Sequence, residues 1–129
     1  MQTSSIVTVR RSSTTISSID IWEDLSPFID DMLTKAYEEA SSPTTRVILL
    51  NFRDRHIMNS RVVGTLISLL IRVKQQQQHL LAIGLSDYDR RIFSLTALDK
   101  HIRVFDTEEQ ALATIYRNKS ENHYVAVPA

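Results

Sequence analysis

Val47-Ile48-Leu49-Leu50-Asn51-Phe52-Arg53-Asp54-Arg55-His56-Ile57-Met58-Asn59-Ser60-Arg61-Val62-Val63-Gly64 passes from a continuous apolar run, through a polar loop, into an apolar segment that continues to Val73. The periodicity changes across the loop. Residues 47–50 are apolar without alternation, as in a parallel strand covered on both faces. Beyond the loop, Val62, Val63, Leu66, Leu69, Leu70 and Val73 recur at helical spacing, with Ile67 and Ile71 extending that face. The stretch predicts strand, loop, helix. A hydroxyl, Ser60, falls where the helix begins, with Arg53, Arg55, Arg61 and His56 close by.

Working outward, the same alternation recurs. Downstream, Leu80 to Leu85 and Ile102 to Phe105 read as further strands, and the helix opened at Ser60 runs to about Gln77, with Gln75 to Gln78 as a frayed end. A helix follows Ser86, an N-cap with Asp89 three residues on, and carries Ile92, Phe93 and Leu95. The last opens on Thr107-Glu108-Glu109-Gln110, a capping box, with Ala111, Leu112 and Ile115 inward. Upstream, Ile6 to Val9 and Thr14 to Ile19 are β-branched segments separated by polar Arg10 to Ser13, which suits two antiparallel strands and a tight turn. Trp22, Leu25, Phe28, Ile29, Met32, Leu33 and Ala36 then mark a helical face, capped by Asp20 or Ser26, with Pro27 at its first position and Ser41 to Thr44 ending it.

Strands alternating with helices imply an α/β layer fold. The expectation is one domain over residues 1–117, with a central mixed sheet of about five strands, the two N-terminal ones antiparallel and the rest largely parallel, and about four helices. The tail, 118–129, is polar around a small apolar patch, Tyr124-Val125-Ala126-Val127. Disorder is the expectation for it, and docking on the domain or on a neighbour the alternative.

Composition narrows the chemistry. Fifteen basic residues balance fifteen acidic ones, which removes the usual electrostatic basis for nonspecific nucleic-acid binding. There is no cysteine, so thiol catalysis, disulfides and Cys-type zinc sites are excluded. Two glycines, Gly64 and Gly84, stand far apart, which argues against a Gly-rich phosphate loop and hence a nucleotide cofactor. Histidines 56, 79, 101 and 123 lie about 22 apart and show no metal spacing. No apolar run approaches the roughly 18 to 20 residues that span a bilayer, and Met1-Gln2-Thr3-Ser4-Ser5 lacks a secretory pattern. The expectation is a cytoplasmic, non-enzymatic protein without membrane insertion, cofactor or metal.

On a helix from Ser60, the residues Arg61, Thr65, Ser68 and Arg72 form a polar stripe, and Gly64 shares the face of Ser60 one turn on. Gly64 either leaves the serine open to a partner or permits close packing of the helix on the sheet. Asn59 or Ser60 supplies the helix cap. Alternatively Ser60 is a phosphoacceptor at the positive end of a helix dipole. Asp54, His56 and Ser60 hold the residue types of a hydrolase triad, but neighbours in one loop rarely meet in the required order, and Met58 and Val62 stand where a nucleophile elbow needs glycine.

The order of elements and three motifs resemble the STAS domain of bacterial anti-sigma factor antagonists, over roughly Ile6 to Tyr116. The motifs are Val47 to Phe52 before Ile57 to Gly64; Leu81 to Ser86 before Arg91 to Asp99; and Phe105 to Leu112. Ile19-Asp20 is similar to the family's Leu-Asp near the first helix. The resemblance implies that Ser60 occupies the phosphoacceptor position of a pattern Asp-Ser-Ser/Thr-Gly-x-Gly, modified by a partner kinase that is also the anti-sigma factor and reset by a phosphatase. It implies a partner-binding surface of Asn59, Ser60, Arg61 and Gly64, with Arg53 and Arg55 on the preceding loop. Asn59, Arg61 and Val62 depart from the pattern. The alternatives are a non-phosphorylated STAS scaffold, associating with other STAS proteins in a signalling assembly or transporter complex, and a small-molecule or nucleotide binder in the loops at the carboxyl ends of the strands, with Arg53, Arg55 and Arg61 to clamp an anion. The oligomeric state is left open.

Overall fold

The computed structural model describes residues 6–23 and 27–122, with side chains as far as Arg117. The elements follow the order β1 (Val7–Arg11), β2 (Ile16–Ile21), α1 (Ile29–Ala40), β3 (Val47–Asn51), α2 (Ser60–Gln75), β4 (His79–Ile83), α3 (Asp87–Leu95), a 3-10 turn (Leu98–Lys100), β5 (Arg103–Phe105) and α4 (Glu108–Asn122). The sheet order is β1-β2-β3-β4-β5. Its first pair is antiparallel and the other three are parallel, as expected. Helix α4 continues past residue 117 to Asn122. The boundary expected after residue 117 therefore falls inside a helix, and residues 123–129 lie outside the described residues.

Strand β3 explains the layering. Its side chains alternate between faces, and Val47, Ile48, Leu49 and Leu50 are all fully buried. Ile48 and Leu50 join Ile19, Leu80 and Ala82 under α1, α2 and Phe93 of α3. Val47 and Leu49 join Ile16, Leu81 and Ile83 under Ala111 and Ile115 of α4. The continuous apolar run thus reports two covered faces.

The first third of the chain differs from expectation. Strands β1 and β2 reach further than their β-branched cores, because Arg10, expected in the turn, lies in β1 and holds Asp20 of β2 through Nε at 2.6 Å and Nη2 at 3.0 Å. Asp20 also accepts from Asn51 Nδ2 at 3.1 Å. It is a buried strand residue and not the cap of α1. Hydrogen bonds to Asp20 first and Glu108 second raise the pKa of Arg10 above its ordinary value. With β2 extended to Ile21, α1 starts only at Ile29, with no side-chain cap bond at Phe28. Pro27 precedes it in a turn, and Trp22 lies outside the helix altogether. Ser26 and Leu25 fall outside the described residues.

Helix α2 also corrects the stripe reading. Thr65 is buried, donating to Asp30 of α1 and to the carbonyl of Arg61, whereas Ile67 and Ile71 are exposed. The apolar arc is wider than the sheet and α1 can cover. Leu95 of α3 is likewise exposed, two residues and so about 200° round the helix from inward Phe93.

The glutamine tract is ordered. Gln77 takes a positive φ of 58°, its N–H reaching the carbonyl of Lys74 at 3.1 Å while that of Gln78 reaches Val73 at 2.7 Å. This is a Schellman ending. Gln78 is buried and joins Tyr37 Oη at 2.7 Å to Ser41 Oγ at 2.8 Å. The next residue, His79, has its pKa lowered below 6.5 by burial first and by Lys74 second. Protonation is therefore easier in the unfolded chain, so His79 withdraws stability as pH falls from about 6.5 through its lowered native pKa. Denaturation midpoints compared between wild type and His79→Gln are expected to diverge below that pH, with the wild type losing more.

Candidate functional site

The loop from Phe52 to Asn59 is built at the carboxyl ends of β3 and β4. Arg53 and Asp54 both adopt positive φ, 55° and 62°, and the N–H of Arg55 closes on the carbonyl of Phe52 at 3.1 Å. That is a type I′ turn, a shape that favours Asn and Gly. It is anchored by Asn51 Oδ1, which accepts from the N–H of Arg53 at 3.0 Å, and by the carbonyl of Gly84, which accepts from the N–H of Asp54 at 2.6 Å. Gly84 has to be glycine here. Its φ is +70°, and a Cβ would lie 2.9 Å from both Arg53 N and Asn51 Oδ1.

The second half of the loop is held by α3. Asp89 is fully buried, and its two oxygens accept from the backbone N–H groups of Ile57 at 2.9 Å and Met58 at 3.1 Å. Ser86 caps α3 as expected, accepting from the N–H of Asp89 at 3.1 Å. His56 meets Ser86 Oγ at 3.1 Å and Tyr88 edge-on, with ring centroids 5.5 Å apart. It pairs away from Ser60, so the Asp54, His56, Ser60 triad does not form.

At the entrance to α2 the two cap candidates separate. Asn59 is extended, and its side chain accepts from the N–H of Val62 at 3.0 Å. Ser60 is the first helical residue, exposed, and its hydroxyl has no hydrogen bond among the described residues. One turn on, a Cβ at Gly64 would meet nothing within 4 Å. The close-packing reading of Gly64 is therefore set aside. Ser60 and Gly64 line a groove of about 410 Å³ between α1 and α2, together with Asp30, Thr34, Arg61 and Ser68.

The three arginines have different surroundings. The guanidinium of Arg53 lies 3.6 Å from the ring centroid of Trp22, whose Nε1 donates to Thr8 Oγ1 at 2.9 Å. Arg61 pairs loosely with Asp30 at 3.7 Å, both side chains more than half exposed. The side chain of Arg55 is exposed, without a partner among the described residues. Among the described residues no group of three or more His, Asp or Glu is placed to hold a metal ion, and no helix is long and apolar enough to cross a membrane.

Three residues that build this site escaped the sequence reading: Asp30, Gly84 and Asp89. Gly84 carried a usable signal, a lone glycine directly after an apolar strand. Asp30 and Asp89 looked like ordinary polar helix residues.

A model of the STAS domain matches residues 6–111. No curated protein matches at the level of sequence. Among solved structures, the anti-sigma factor antagonist SpoIIAA in its unphosphorylated form superposes with a TM-score of 0.67 at 16% identity, covering 86% of this chain and 96% of that one. The Bacillus cell fate determinant SpoIIAA in its phosphorylated form superposes with a TM-score of 0.61 at 17% identity, covering 84% and 98%. The sheet order, the single antiparallel pair and the helix opened at Ser60 are thus those of a known fold, and the chain belongs to the STAS domain family.

Proposed function

We propose that this chain is a protein-binding switch of the anti-sigma factor antagonist kind. Unphosphorylated, it binds a serine kinase that is also the anti-sigma factor, in the cytoplasm; phosphorylated on Ser60 it lets go, and a phosphatase resets it. The observation that carries this reading is the division of labour at the start of α2. Asn59 takes the capping bond, so the hydroxyl of Ser60 is exposed and unengaged among the described residues. The likeness to SpoIIAA, a protein solved both unphosphorylated and phosphorylated, supports it.

The physics of a phosphate there is favourable to the fold and unfavourable to the complex. Phosphorylation adds about −1.5 to −2 charge at the positive end of the α2 dipole. The N–H groups of Ser60 and Arg61 have no bond among the described residues and can receive it. The exposed pair of Arg61 with Asp30 is worth little, so its guanidinium is available to the phosphate. The groove gains bulk and negative charge beside Asp30 without any element having to move. Partner contact through Asn59, Ser60, Arg61 and Gly64, with Arg53 and Arg55 at its edge, would then be lost by charge and sterics.

The test is mass spectrometry after incubation with the cognate kinase and ATP. One phosphate on Ser60 is expected in the wild type and none in Ser60→Ala, with Ser60→Asp weakening kinase binding at least tenfold. Absence of modification at Ser60, with binding indifferent to Ser60→Asp, overturns the proposal. Because Asn59 is the cap, Asn59→Ala is expected to lower stability by about 1 kcal/mol, while Ser60→Ala leaves it nearly unchanged.

A further inference from the structure

We infer that the segment His123-Tyr124-Val125-Ala126-Val127-Pro128-Ala129 docks in the apolar groove between the C-terminal half of α2 and the 3-10 turn. Ile67 and Ile71 are 48% and 56% exposed. They lie one helical turn apart and share a groove of about 310 Å³ with Leu70, Ala97 and Leu98, rimmed by Lys74 and His101. Single exposed apolar side chains are common, but neighbours sharing a groove mark a contact surface.

The chain itself brings the occupant to this place. The groove opens at the edge of the sheet where β4 and β5 begin, since Lys74 stands just before the turn into β4 and His101 just before β5. Helix α4 starts beyond the other end of β5, packs Ala111 and Ile115 on Leu81 and Ile83, and so runs back toward that same edge. From Ile115 to Asn122 it advances about 10 Å more. The seven residues that follow span up to about 23 Å when extended, enough to turn round the sheet edge to the α2 side. Residues 124–129 contain no Asp, Glu, Lys or Arg, so no side-chain charge loses its hydration on docking. In an extended segment Val125 and Val127 fall on one side, a match for the two isoleucines.

The absence of cysteine makes engineered thiols the only ones in the chain. The double variant Ile71→Cys with Val127→Cys is expected to close an intramolecular disulfide at least tenfold faster than Gln76→Cys with Val127→Cys, since Gln76 is exposed near the same edge but lines a different surface. Ile71 and Gln76 both lie outside the buried core, so folding is not at stake for these two sites. In the full chain carrying Ile71→Cys alone, adding Val127→Asp is expected to speed thiol labelling severalfold. Equal closure rates, labelling unmoved by Val127→Asp, or disulfides formed only between molecules would each overturn the proposal, the last by placing a second copy in the groove.

Discussion

Asp89→Ala is expected to lower stability by about 3 kcal/mol or more and to loosen the loop that carries Ser60. Asp89 is fully buried, and its two oxygens accept from Ile57 and Met58, whose side chains are buried as well. Removing the carboxylate leaves two enclosed N–H groups without an acceptor, each worth roughly 1–3 kcal/mol. A cavity adds to that loss. Asp89→Asn restores one acceptor but turns an NH2 toward the other donor, so it recovers only part. Urea titration reads the loss, and hydrogen exchange at Ile57 and Met58 should accelerate beyond what global destabilisation explains. A loss below about 1 kcal/mol would show that the carboxylate does not clamp the loop.

Asp89 also shows where sequence reasoning stops. The local grammar was legible: Ser86 caps α3 with Asp89 three residues on, Asn59 caps α2, and the unbroken apolar run of β3 announced a strand buried on both faces. These signals are local because a cap or a period is satisfied within a few residues. The partners of Asp89 lie 31 and 32 residues away, and nothing near it in sequence distinguishes a carboxylate reaching another loop from one that only favours a helix start. Asp20 misled for the same reason. Before an apolar helical pattern it resembles a cap, but Arg10 and Asn51 make it part of the sheet. Thr65 shows the converse, a polar residue on a polar stripe that α1 covers through Asp30. At Ser60 the chemical type and the helix start are legible in the local pattern, while the choice between Ser60 and Asn59 as cap needs backbone geometry.

Gly64→Trp is expected to weaken binding of the kinase partner at least a hundredfold while leaving the fold intact. The side chain of a residue at position 64 enters open space in the groove beside Ser60, where a Cβ meets nothing within 4 Å. The domain therefore tolerates an indole, and replacing glycine within a helix stabilises it by about 0.5 kcal/mol. A partner seated against Ser60 and the Gly64 side of α2 has no such freedom, because close-packed interfaces accommodate added bulk only by separating. A hundredfold loss corresponds to about 2.7 kcal/mol, less than the displacement of several well-packed contacts would remove. Gly64→Ala is the matched control: it should raise stability by about 1 kcal/mol and change affinity little. Denaturant midpoints and titration of the kinase by calorimetry separate the two effects. Wild-type affinity in Gly64→Trp would mean that the partner does not seat on this face of α2, and Ser60 phosphorylation would then have to act on binding from outside the interface.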